Sequence, residues 1–497
     1  MHDLIFISAD GFPLSAGPGY VGSILQNHGY SVKLLQSINN FSDSQILELV
    51  EKFVVSNKQI LCVSITFART KESKTKLNSF IRASRNKFPD IKVVIGGANN
   101  VEPNDFENPT LVILGQNREN EIIDAINRLT GKIKRIPFDF KKHKINYSTL
   151  YPGIPPRGIN MVLELSKGCI FNCPFCNYSL RGSKSKVKDP QIIIDELEDF
   201  HDKFKTSEVL LTCNTFNDDV NKIEMLAEIA DKLSFTPAFF AYTRMDLFVT
   251  QPSIVHDFYK KFVKYPFFGV ESFNPKTLRS INKSGNVDKV KSFLIDFRKN
   301  SRPDSYITST FIVGLPHDTF SSQQDCVTWL NENNVVDFAF FQPLRIMNPK
   351  TVEYSISEIS EFEKRPEDFG FKVLSVEENK KTFTQNIKKE FDELGVDYSE
   401  MLTWSGWERE DGYTSTQSVI DGIKLNNTVK CSVPYNFAML ANSRNLKIDL
   451  RARDAFRPTA LLKLKPQNYQ KYPQTQLMLQ NEISAFNNEY FEYILSS

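Results

Sequence analysis

The sequence predicts an α/β protein in which two parallel-sheet domains follow one another and precede a mostly helical C-terminal region. Short apolar runs alternate with amphipathic helical stretches over residues 1–130, and a second alternation of this kind occupies residues 161–351. Three of the seven cysteines crowd into one loop after the first strand of the second series. Strands that alternate with helices pair in parallel, so each series predicts a domain of its own.

Residues 1–130 are predicted to form a doubly wound, Rossmann-like domain of the flavodoxin-like type. Five apolar runs predict its strands, at residues 4–7, 32–35, 60–65, 93–95 and 110–114. Helices are expected at about 20–28, at 42–55, in the charged stretch that ends at residue 88, and at 119–129, with a Gly-rich loop (Gly11, Gly17, Gly19) after the first strand. Ligands of such sheets bind at the carboxyl ends of the strands.

Residues 131–160 are predicted to be a linker. Six lysine and arginine side chains precede a proline-rich run at 152–156, which is incompatible with a regular helix or a central strand. We expect this linker to be solvated, and an arm that contacts phosphate groups is the alternative.

The second series, residues 161–351, predicts a partial TIM-type (βα)6 barrel. Its strands are expected at residues 162–165, 209–212, 239–242, 267–270, 307–313 and 338–341. Its helices are expected at residues 189–204, 219–233, 254–263, 287–299 and 320–333. In such barrels the chemistry takes place on loops at the carboxyl ends of the strands. The C-terminal region, residues 352–497, has helical patterns near 376–394 and 416–424, and we expect it to cover the substrate.

The composition excludes several classes of protein. The chain has 497 residues, and its 61 basic and 59 acidic residues leave a net charge of +2, so no overall field attracts nucleic acid or a membrane. The N-terminus lacks the pattern of a secretion signal, and no apolar run approaches the length of a membrane span. Seven cysteines in this length do not form a disulfide framework. We therefore predict a cytoplasmic protein.

Cys169, Cys173 and Cys176 are the main candidate for a functional site. Thiolates favour soft metals and iron–sulfur clusters, and a four-iron cluster normally takes four of them. A cluster held by three thiolates keeps one iron open, which is what a catalytic site needs. The alternative is a structural zinc site that takes Cys213 as its fourth ligand, since no histidine lies within residues 150–200.

Residues 161–345 resemble a radical S-adenosylmethionine (SAM) domain, and residues 1–130 resemble the cobalamin-binding domain that often precedes one. The resemblance rests on the Cys-x-x-x-Cys-x-x-Cys loop and on the order of the two domains. It implies that the three cysteines bind a [4Fe–4S] cluster, and that the amino and carboxylate groups of SAM chelate its open iron. It further implies that an electron donor such as flavodoxin or ferredoxin reduces the cluster, and that SAM is then cleaved reductively.

The resemblance also assigns SAM contacts at two strand ends. Glu271 and Ser272 match the family's Gly-x-Glu-Ser strand end, where the carboxylate meets the SAM amino group or ribose hydroxyls. An ion pair with Lys283 is the alternative role of Glu271. Arg244 resembles the arginine that pairs with the SAM carboxylate, and its alternative is an ion pair with Asp246 or with Glu271.

Further along the chain, residues 311–317 match the family's fifth-strand Gly-Leu-Pro turn. The resemblance places Ile312 against the adenine, and Gly314 allows close backbone approach. Phe175 occupies the aromatic position that borders the adenine, and packing beneath the cysteine loop is its alternative. His317 invites the role of a general base, but a lone histidine on a loop is more often a surface group.

Cobalamin contacts are implied at Ser64, Thr66, Gly96 and Gly97, where the nucleotide tail would lie. Ordinary turn chemistry at the ends of strands is their alternative role. The chain lacks the Asp-x-His-x-x-Gly motif that supplies a histidine to cobalt, since His28-Gly29 has no other part of it. Many radical SAM relatives also lack this motif.

The resulting hypothesis is a radical SAM enzyme that uses cobalamin and methylates or rearranges an unactivated carbon of a small molecule. One alternative is a radical SAM enzyme whose front domain docks the substrate without cobalamin, and another is a non-catalytic, metal-stabilised binding protein. The methylthiotransferase subclass is disfavoured because Cys62 is the one cysteine before residue 131, and that subclass has three cluster cysteines there. Trp404, Trp407 and Tyr435 are candidates for either the substrate pocket or the core.

Overall fold

The computed structural model describes residues 2–9, 16–65, 71–97, 105–114, 118–132, 137–159, 161–176, 178, 182–346, 369–432, 435–446 and 473–497. Two parallel sheets of five and six strands organise these residues, and the six-stranded sheet belongs to a barrel. The predicted fold class is confirmed.

The N-terminal domain contains a five-stranded sheet in the order β2-β1-β3-β4-β5, and every strand pair is parallel. The strands are β1 (Leu4–Ser8), β2 (Val32–Leu35), β3 (Ile60–Ser64), β4 (Lys92–Gly97) and β5 (Leu111–Leu114). The helices are α1 (Ala16–Asn27), α2 (Asp43–Phe53), α3 (Lys71–Lys87) and α4 (Glu119–Thr130). This strand order is the flavodoxin-like one. One prediction was wrong, because Gly17 and Gly19 lie inside α1 rather than in a loop, while Gly11 lies outside the described residues.

The segment between the domains is packed against both of them, which corrects the prediction of a solvated linker. It contains the short helix α5 (Tyr147–Leu150), and Tyr147 donates a hydrogen bond to the carbonyl oxygen of Val162 at 2.9 Å. The carbonyl oxygen of Lys144 accepts one from the Ser23 hydroxyl in α1 at 3.0 Å. Its apolar side chains are largely buried. The segment therefore fixes the N-terminal domain against the barrel.

The barrel sheet has the order β6-β9-β10-β11-β12-β13 and is parallel throughout. Its strands are β6 (Met161–Leu163), β9 (Glu208–Leu211), β10 (Ala238–Arg244), β11 (Val263–Glu271), β12 (Thr308–Val313) and β13 (Phe338–Pro343). A two-stranded antiparallel ribbon lies beside this sheet and consists of β7 (Ser166–Lys167) and β8 (Lys186–Val187). Its helices are α6 (Pro190–Phe204), α7 (Val220–Ala230), α8 (Met245–Phe248), α9 (Ser253–Phe262), α10 (Pro275–Ser280), α11 (Val287–Asn300) and α12 (Phe320–Asn333). All six predicted strands and all five predicted helices are present.

The C-terminal region combines helices with a small antiparallel sheet. The sheet pairs β14 (Phe371–Leu374) with β15 (Gly406–Arg409). The helices are α13 (Val376–Thr382), α14 (Gln385–Glu393), α15 (Ser415–Thr428), α16 (Tyr435–Ser443) and α17 (Pro473–Ser496), so the single helix predicted near 376–394 is two helices. Among the described residues, no helix combines the length and the apolar character needed to cross a lipid bilayer.

Parts of the C-terminal region pack against both domains. The Arg409 guanidinium in β15 donates hydrogen bonds to the carbonyl oxygens of Leu315 and Asp318, at 2.9 and 3.0 Å, just beyond the carboxyl end of β12. The aromatic rings of Tyr490 and Phe491 in α17 contact Phe41 of the N-terminal domain. The C-terminal region therefore reaches the edge of the barrel at which ligands are expected.

Candidate functional site

The three cysteines lie on a loop between β7 and β8, at the carboxyl end of the first barrel strand. Gly168 begins this loop with φ +106°, and a Cβ atom there would lie 2.9 Å from the carbonyl oxygen of Lys184. Glycine is therefore required by both backbone conformation and space. Further along, the Cys176 amide donates a hydrogen bond to the Cys173 carbonyl oxygen at 3.0 Å, which folds these two residues into a turn.

Each of the three thiols has a polar neighbour. The Arg244 guanidinium lies 3.4 Å from the Cys173 sulfur, and the Tyr178 amide donates to the Cys176 sulfur at 3.4 Å. The Cys169 sulfur contacts the Thr215 hydroxyl at 3.5 Å. Burial raises the pKa of Cys173, and the positive charges of Arg244 and Lys283 oppose this effect. Hydrogen bonds to sulfur tune iron–sulfur clusters, so these contacts suit a cluster loop.

The zinc alternative finds little support in the described part of the chain. No group of three or more His, Cys, Asp or Glu side chains there converges on a point where one metal ion could bind. The proposed fourth ligand, Cys213, is buried in the core and accepts a hydrogen bond from the Ser166 hydroxyl at 3.2 Å. Burial raises its pKa, which disfavours the thiolate that a metal needs. Ligands of a four-iron cluster bind separate irons and do not have to converge in this way.

Glu271 ends β11 in a strained conformation. Its φ is +69°, which is rare for a residue other than glycine, and the pairing of β11 with β12 shifts register between Gly269 and Glu271. The buried carboxylate accepts a hydrogen bond from the Lys283 ammonium at 2.7 Å, and Lys283 also donates to the Gly269 carbonyl oxygen at 2.8 Å. The ion pair with Lys283, which was the alternative role of Glu271, is thus formed. Strain of this kind persists where the surroundings hold it and is concentrated at functional sites.

Arg244, at the end of β10, is held by Asp246 through two hydrogen bonds of 2.8 and 3.0 Å. Its guanidinium also lies over the ring of Phe171 in the cysteine loop, with the central carbon 4.1 Å from the ring centroid. Burial alone would lower the pKa of Arg244, but the contacts with Asp246 raise it overall. The alternative pairing with Asp246 is therefore formed, and the guanidinium bridges β10 and the cysteine loop.

Ser272 and the unpredicted Asp318 form one buried network after β11 and β12. The Asp318 carboxylate accepts hydrogen bonds from the hydroxyls of Ser272 and Ser322, at 3.1 and 3.0 Å, and from the Gln323 amide at 2.6 Å. Burial raises the pKa of Asp318 to about 6, although these hydrogen bonds by themselves would lower it. The sequence analysis missed Asp318, although its position directly after the Gly-Leu-Pro turn could have indicated it.

The space beside Gly314 is filled by protein. Gly314 has φ +101°, and a Cβ atom there would lie 2.7 Å from the Trp407 ring. Trp407 is 1% exposed, and its indole donates to the Leu344 carbonyl oxygen at 2.9 Å. Trp407 thus makes a close approach to Gly314, and the expected approach of adenine at this residue stays a prediction. Trp407 belongs to the core, and both Phe175 and Ile312 pack against its apolar cluster.

The remaining candidate residues contribute little to this edge. His317 is exposed and has φ +65°, which fits a surface residue in a tight turn. Trp404 is 38% exposed, whereas the side chain of Tyr435 lies outside the described residues.

A second candidate site lies in the N-terminal domain. A cavity that is open to solvent lies between the carboxyl half of the sheet and helices α1 and α4. Three of the four predicted cobalamin contacts line it, namely Ser64, Gly96 and Gly97, whereas Thr66 lies outside the described residues. Its other walls are mostly apolar and come from β1, β3, β4, β5 and the two helices. Such a cavity suits the apolar part of a large ligand.

The family comparison agrees with the barrel and its cysteine loop, since residues 163–330 match the model of the radical SAM superfamily. The chain contains a radical SAM domain. Such a domain implies a [4Fe–4S] cluster and SAM as cofactors.

Two curated relatives carry the names of methylthiotransferases. One, from Methanocaldococcus jannaschii, is 20% identical over 341 residues, which cover 61% of this chain and 72% of the relative. The other is the ribosomal protein uS12 methylthiotransferase RimO of Pseudomonas fluorescens, 23% identical over 284 residues, which cover 50% of this chain and 59% of RimO. The chain thus spans less than two thirds of RimO.

Two solved structures share the order of domains. The radical SAM methyltransferase TsrM from Kitasatospora setae, solved with cobalamin and a [4Fe–4S] cluster, has a TM-score of 0.52 at 13% identity, covering 70% of this chain and 76% of TsrM. The cobalamin-dependent radical SAM enzyme OxsB, solved with aqua-cobalamin and SAM, also has a TM-score of 0.52 at 16% identity, covering 74% of this chain and 56% of OxsB. At this identity the likeness establishes the fold.

Proposed function

We propose that this radical SAM enzyme binds cobalamin in its N-terminal domain and methylates or rearranges an unactivated carbon of a small molecule. The observation that carries the proposal is that the start of the cysteine loop contacts the two helices that line the N-terminal cavity. Lys167, two residues before Cys169, forms an ion pair with Glu119 at the start of α4. Its ammonium also lies 4.5 Å from the centroid of the Tyr20 ring in α1. Helices α1 and α4 line the N-terminal cavity, and these contacts support a ligand there that would reach toward the cysteine loop.

The lining of the N-terminal cavity supports this proposal, because an apolar lining would suit the benzimidazole base of the nucleotide tail of cobalamin. Gly96 and Gly97 keep the end of β4 free of side chains, and Ser64 is the small residue that ends β3. Small residues at neighbouring strand ends permit a bulky ligand to approach the backbone.

In the barrel, we propose that Cys169, Cys173 and Cys176 hold the cluster and that the charged side chains orient SAM. The buried carboxylate of Glu271 would receive the SAM amino group or its ribose hydroxyls, with Lys283 balancing its charge. Arg244 would orient the SAM carboxylate and shield the cluster loop, since it already contacts the Cys173 sulfur. Ser272 and Ile312 would position the rest of SAM, and Phe175 would pack beneath the loop. When bound, the cluster and SAM would supply the chemistry of reductive SAM cleavage, and the surrounding barrel side chains would exclude water from it.

Retention of a corrin tests the cobalamin part of the proposal. Wild-type protein incubated with hydroxocobalamin and desalted should keep a corrin absorbance band. Ser64→Leu should remove most of it by filling the cavity, whereas Ser44→Leu, an exposed position on α2, should keep it. Equal retention by both variants, or no retention by the wild type, would favour a front domain that docks substrate instead.

The reaction itself is tested by following labelled SAM in a cell extract under a reductant. Formation of S-adenosylhomocysteine or 5′-deoxyadenosine together with a labelled small-molecule product would support the proposal. A labelled protein product without any small-molecule product would contradict the proposed substrate class.

Methylthiotransfer is the second candidate function, because the curated relatives carry that name. The cysteine distribution counts against it. Methylthiotransferases are expected to have three further cluster cysteines near the N-terminus. Residues 1–130 of this chain contain Cys62 alone, and Cys62 is buried and lines the cavity. Reconstituted protein with about eight irons would favour methylthiotransfer, whereas about four would favour the proposed function.

A further inference from the structure

The cysteine loop is backed by a segment that carries exposed lysines. The Ser183 amide donates a hydrogen bond to the Cys169 carbonyl oxygen at 3.0 Å, and the Gly182 amide donates to that of Phe171 at 3.0 Å. Lys186 in β8 then pairs with Lys167 in β7. The backbone of residues 182–186 is therefore in direct contact with the loop, and both Lys184 and Lys186 are exposed.

Two more exposed lysines adjoin this segment. The Asp189 amide, shortly after β8, donates to the Lys141 carbonyl oxygen at 3.0 Å, which holds Lys141 and Lys142 beside the end of β8. In the described part of the chain, none of the ammonium groups of Lys141, Lys142, Lys184 and Lys186 takes part in an ion pair or a hydrogen bond. Their charges are therefore available to a partner.

The cysteine loop itself carries an exposed apolar side chain. Ile170 directly follows Cys169 and is 49% exposed, one of the few large apolar side chains of the described residues that is so open to solvent. An apolar contact with a charged rim is typical of a protein docking surface. We call Ile170 and the four lysines the loop-flanking surface.

We propose that the loop-flanking surface docks a small acidic electron-carrier protein of the flavodoxin or ferredoxin class. The inference rests on the proposed function, because it requires a cluster on the cysteine loop. In the transfer, the reduced carrier loses one electron and the oxidised cluster gains it, so no bond or proton changes place. The net charge of +2 is too small to steer a partner, and the local concentration of lysines supplies the attraction instead.

The surface is less suited to RNA than to an acidic protein. Binding of single-stranded nucleic acid combines basic groups with aromatic rings on which bases stack. Phe171 follows Ile170 in the sequence, and one face of its ring is covered by the Arg244 guanidinium. The described loop thus offers charge and an aliphatic contact to a partner.

Binding of an acidic flavodoxin to the purified full chain tests the docking surface without relying on activity. We expect Lys184→Glu/Lys186→Glu and Lys141→Glu/Lys142→Glu each to weaken binding about tenfold, and about 0.5 M salt to weaken wild-type binding strongly. The matched control is Lys289→Glu/Lys299→Glu, which makes the same change of charge at exposed positions of α11 and should bind within about twofold of wild type.

A chemical reductant separates docking from catalysis. With dithionite, which needs no docking surface, the lysine variants should cleave SAM at the wild-type rate, while flavodoxin-driven cleavage falls in step with binding. Unchanged flavodoxin binding in the lysine variants, equal weakening in the α11 control, or tighter binding of single-stranded RNA than of flavodoxin would overturn the inference. Failure of the wild type to cleave SAM with dithionite would instead refute the proposed function, whatever the binding shows.

Discussion

The two candidate sites of this protein are built in opposite ways. The N-terminal cavity is shaped by the absence of side chains, with Gly96, Gly97 and Ser64 at the ends of parallel strands and apolar walls around them. The carboxyl edge of the barrel is crowded with charges, which are paired with one another in a buried network. Both edges lie where parallel sheets bind their ligands.

This difference indicates how each site handles its ligand. An apolar cavity binds by shape and hydrophobic contact, and it needs little rearrangement when a ligand enters. In the barrel, Glu271 and Arg244 already have protein partners, so a ligand has to share or displace Lys283 and Asp246. The positive φ of Glu271 shows that the protein holds this carboxylate in place against a backbone cost.

Cys173→Ala should separate the two sites most sharply. We expect SAM cleavage to fall at least about a thousandfold, because the cluster loses a ligand, while retention of hydroxocobalamin stays close to wild type. Cys326→Ala, a buried cysteine in α12, is the control and should keep both properties. Loss of corrin binding along with SAM cleavage would show that the sites are not built independently.

Trp407→Ala tests whether the C-terminal region supports the barrel edge. Removing this buried ring opens a cavity beside Gly314, and we expect the free energy of unfolding to fall by about 3–5 kcal/mol. Trp404→Ala, at an exposed position nearby, should cost less than about 1 kcal/mol. Chemical denaturation of both variants measures the difference, and equal losses would contradict the packing described here.

The raised pKa of Asp318 predicts that the barrel edge makes the free energy of unfolding depend on pH, which we do not expect of the N-terminal cavity. Its pKa is raised from the ordinary 3.8 to about 6, so the folded protein holds the proton more tightly than the unfolded chain. The Asp318 contribution should therefore lower the free energy of unfolding as pH rises from about 4 to about 6, by at most about 3 kcal/mol. Asp318→Asn should flatten that part of the profile, and an unchanged slope in the variant would rule out Asp318 as its source.

The smallest expected effect concerns backbone strain at Glu271. Asparagine tolerates positive φ better than glutamine, so Glu271→Asn should be about 1 kcal/mol more stable than Glu271→Gln. Glu208 is the matched control, since it is a buried glutamate in β9 that pairs with Lys264 and has an ordinary φ. At Glu208 the asparagine variant should be no more stable than the glutamine variant, because asparagine is disfavoured in strands. Thermal unfolding of the four variants compares the two sites directly.

Much of the fold was predictable because its signals are local. Apolar runs located all eleven strands of the two parallel sheets, and the boundaries of β2 and α12 were predicted to the residue. Ser42 begins α2 through a capping box with Gln45, a pattern that is visible in the sequence. Periodicity and capping depend on neighbouring residues, so a single sequence contains them.

The site was predictable in its residues but not in its contacts. The sequence indicated Cys169, Glu271 and Arg244, and the structure brings the arginine to the cysteine loop. It could not show that Trp407 fills the space beside Gly314 or that Thr215 contacts the Cys169 sulfur. Such contacts join residues that are far apart in the chain, and no local pattern encodes them. The burial of the interdomain segment was missed for the same reason.

Metal and sulfide analysis of anaerobically reconstituted protein, combined with electron paramagnetic resonance with and without SAM, tests whether the three cysteines hold a cluster with one open iron. We expect about four irons and four sulfides per chain, and a reduced-cluster signal that changes when SAM binds. One zinc per chain without sulfide, or a cluster signal that SAM leaves unchanged, would contradict this expectation.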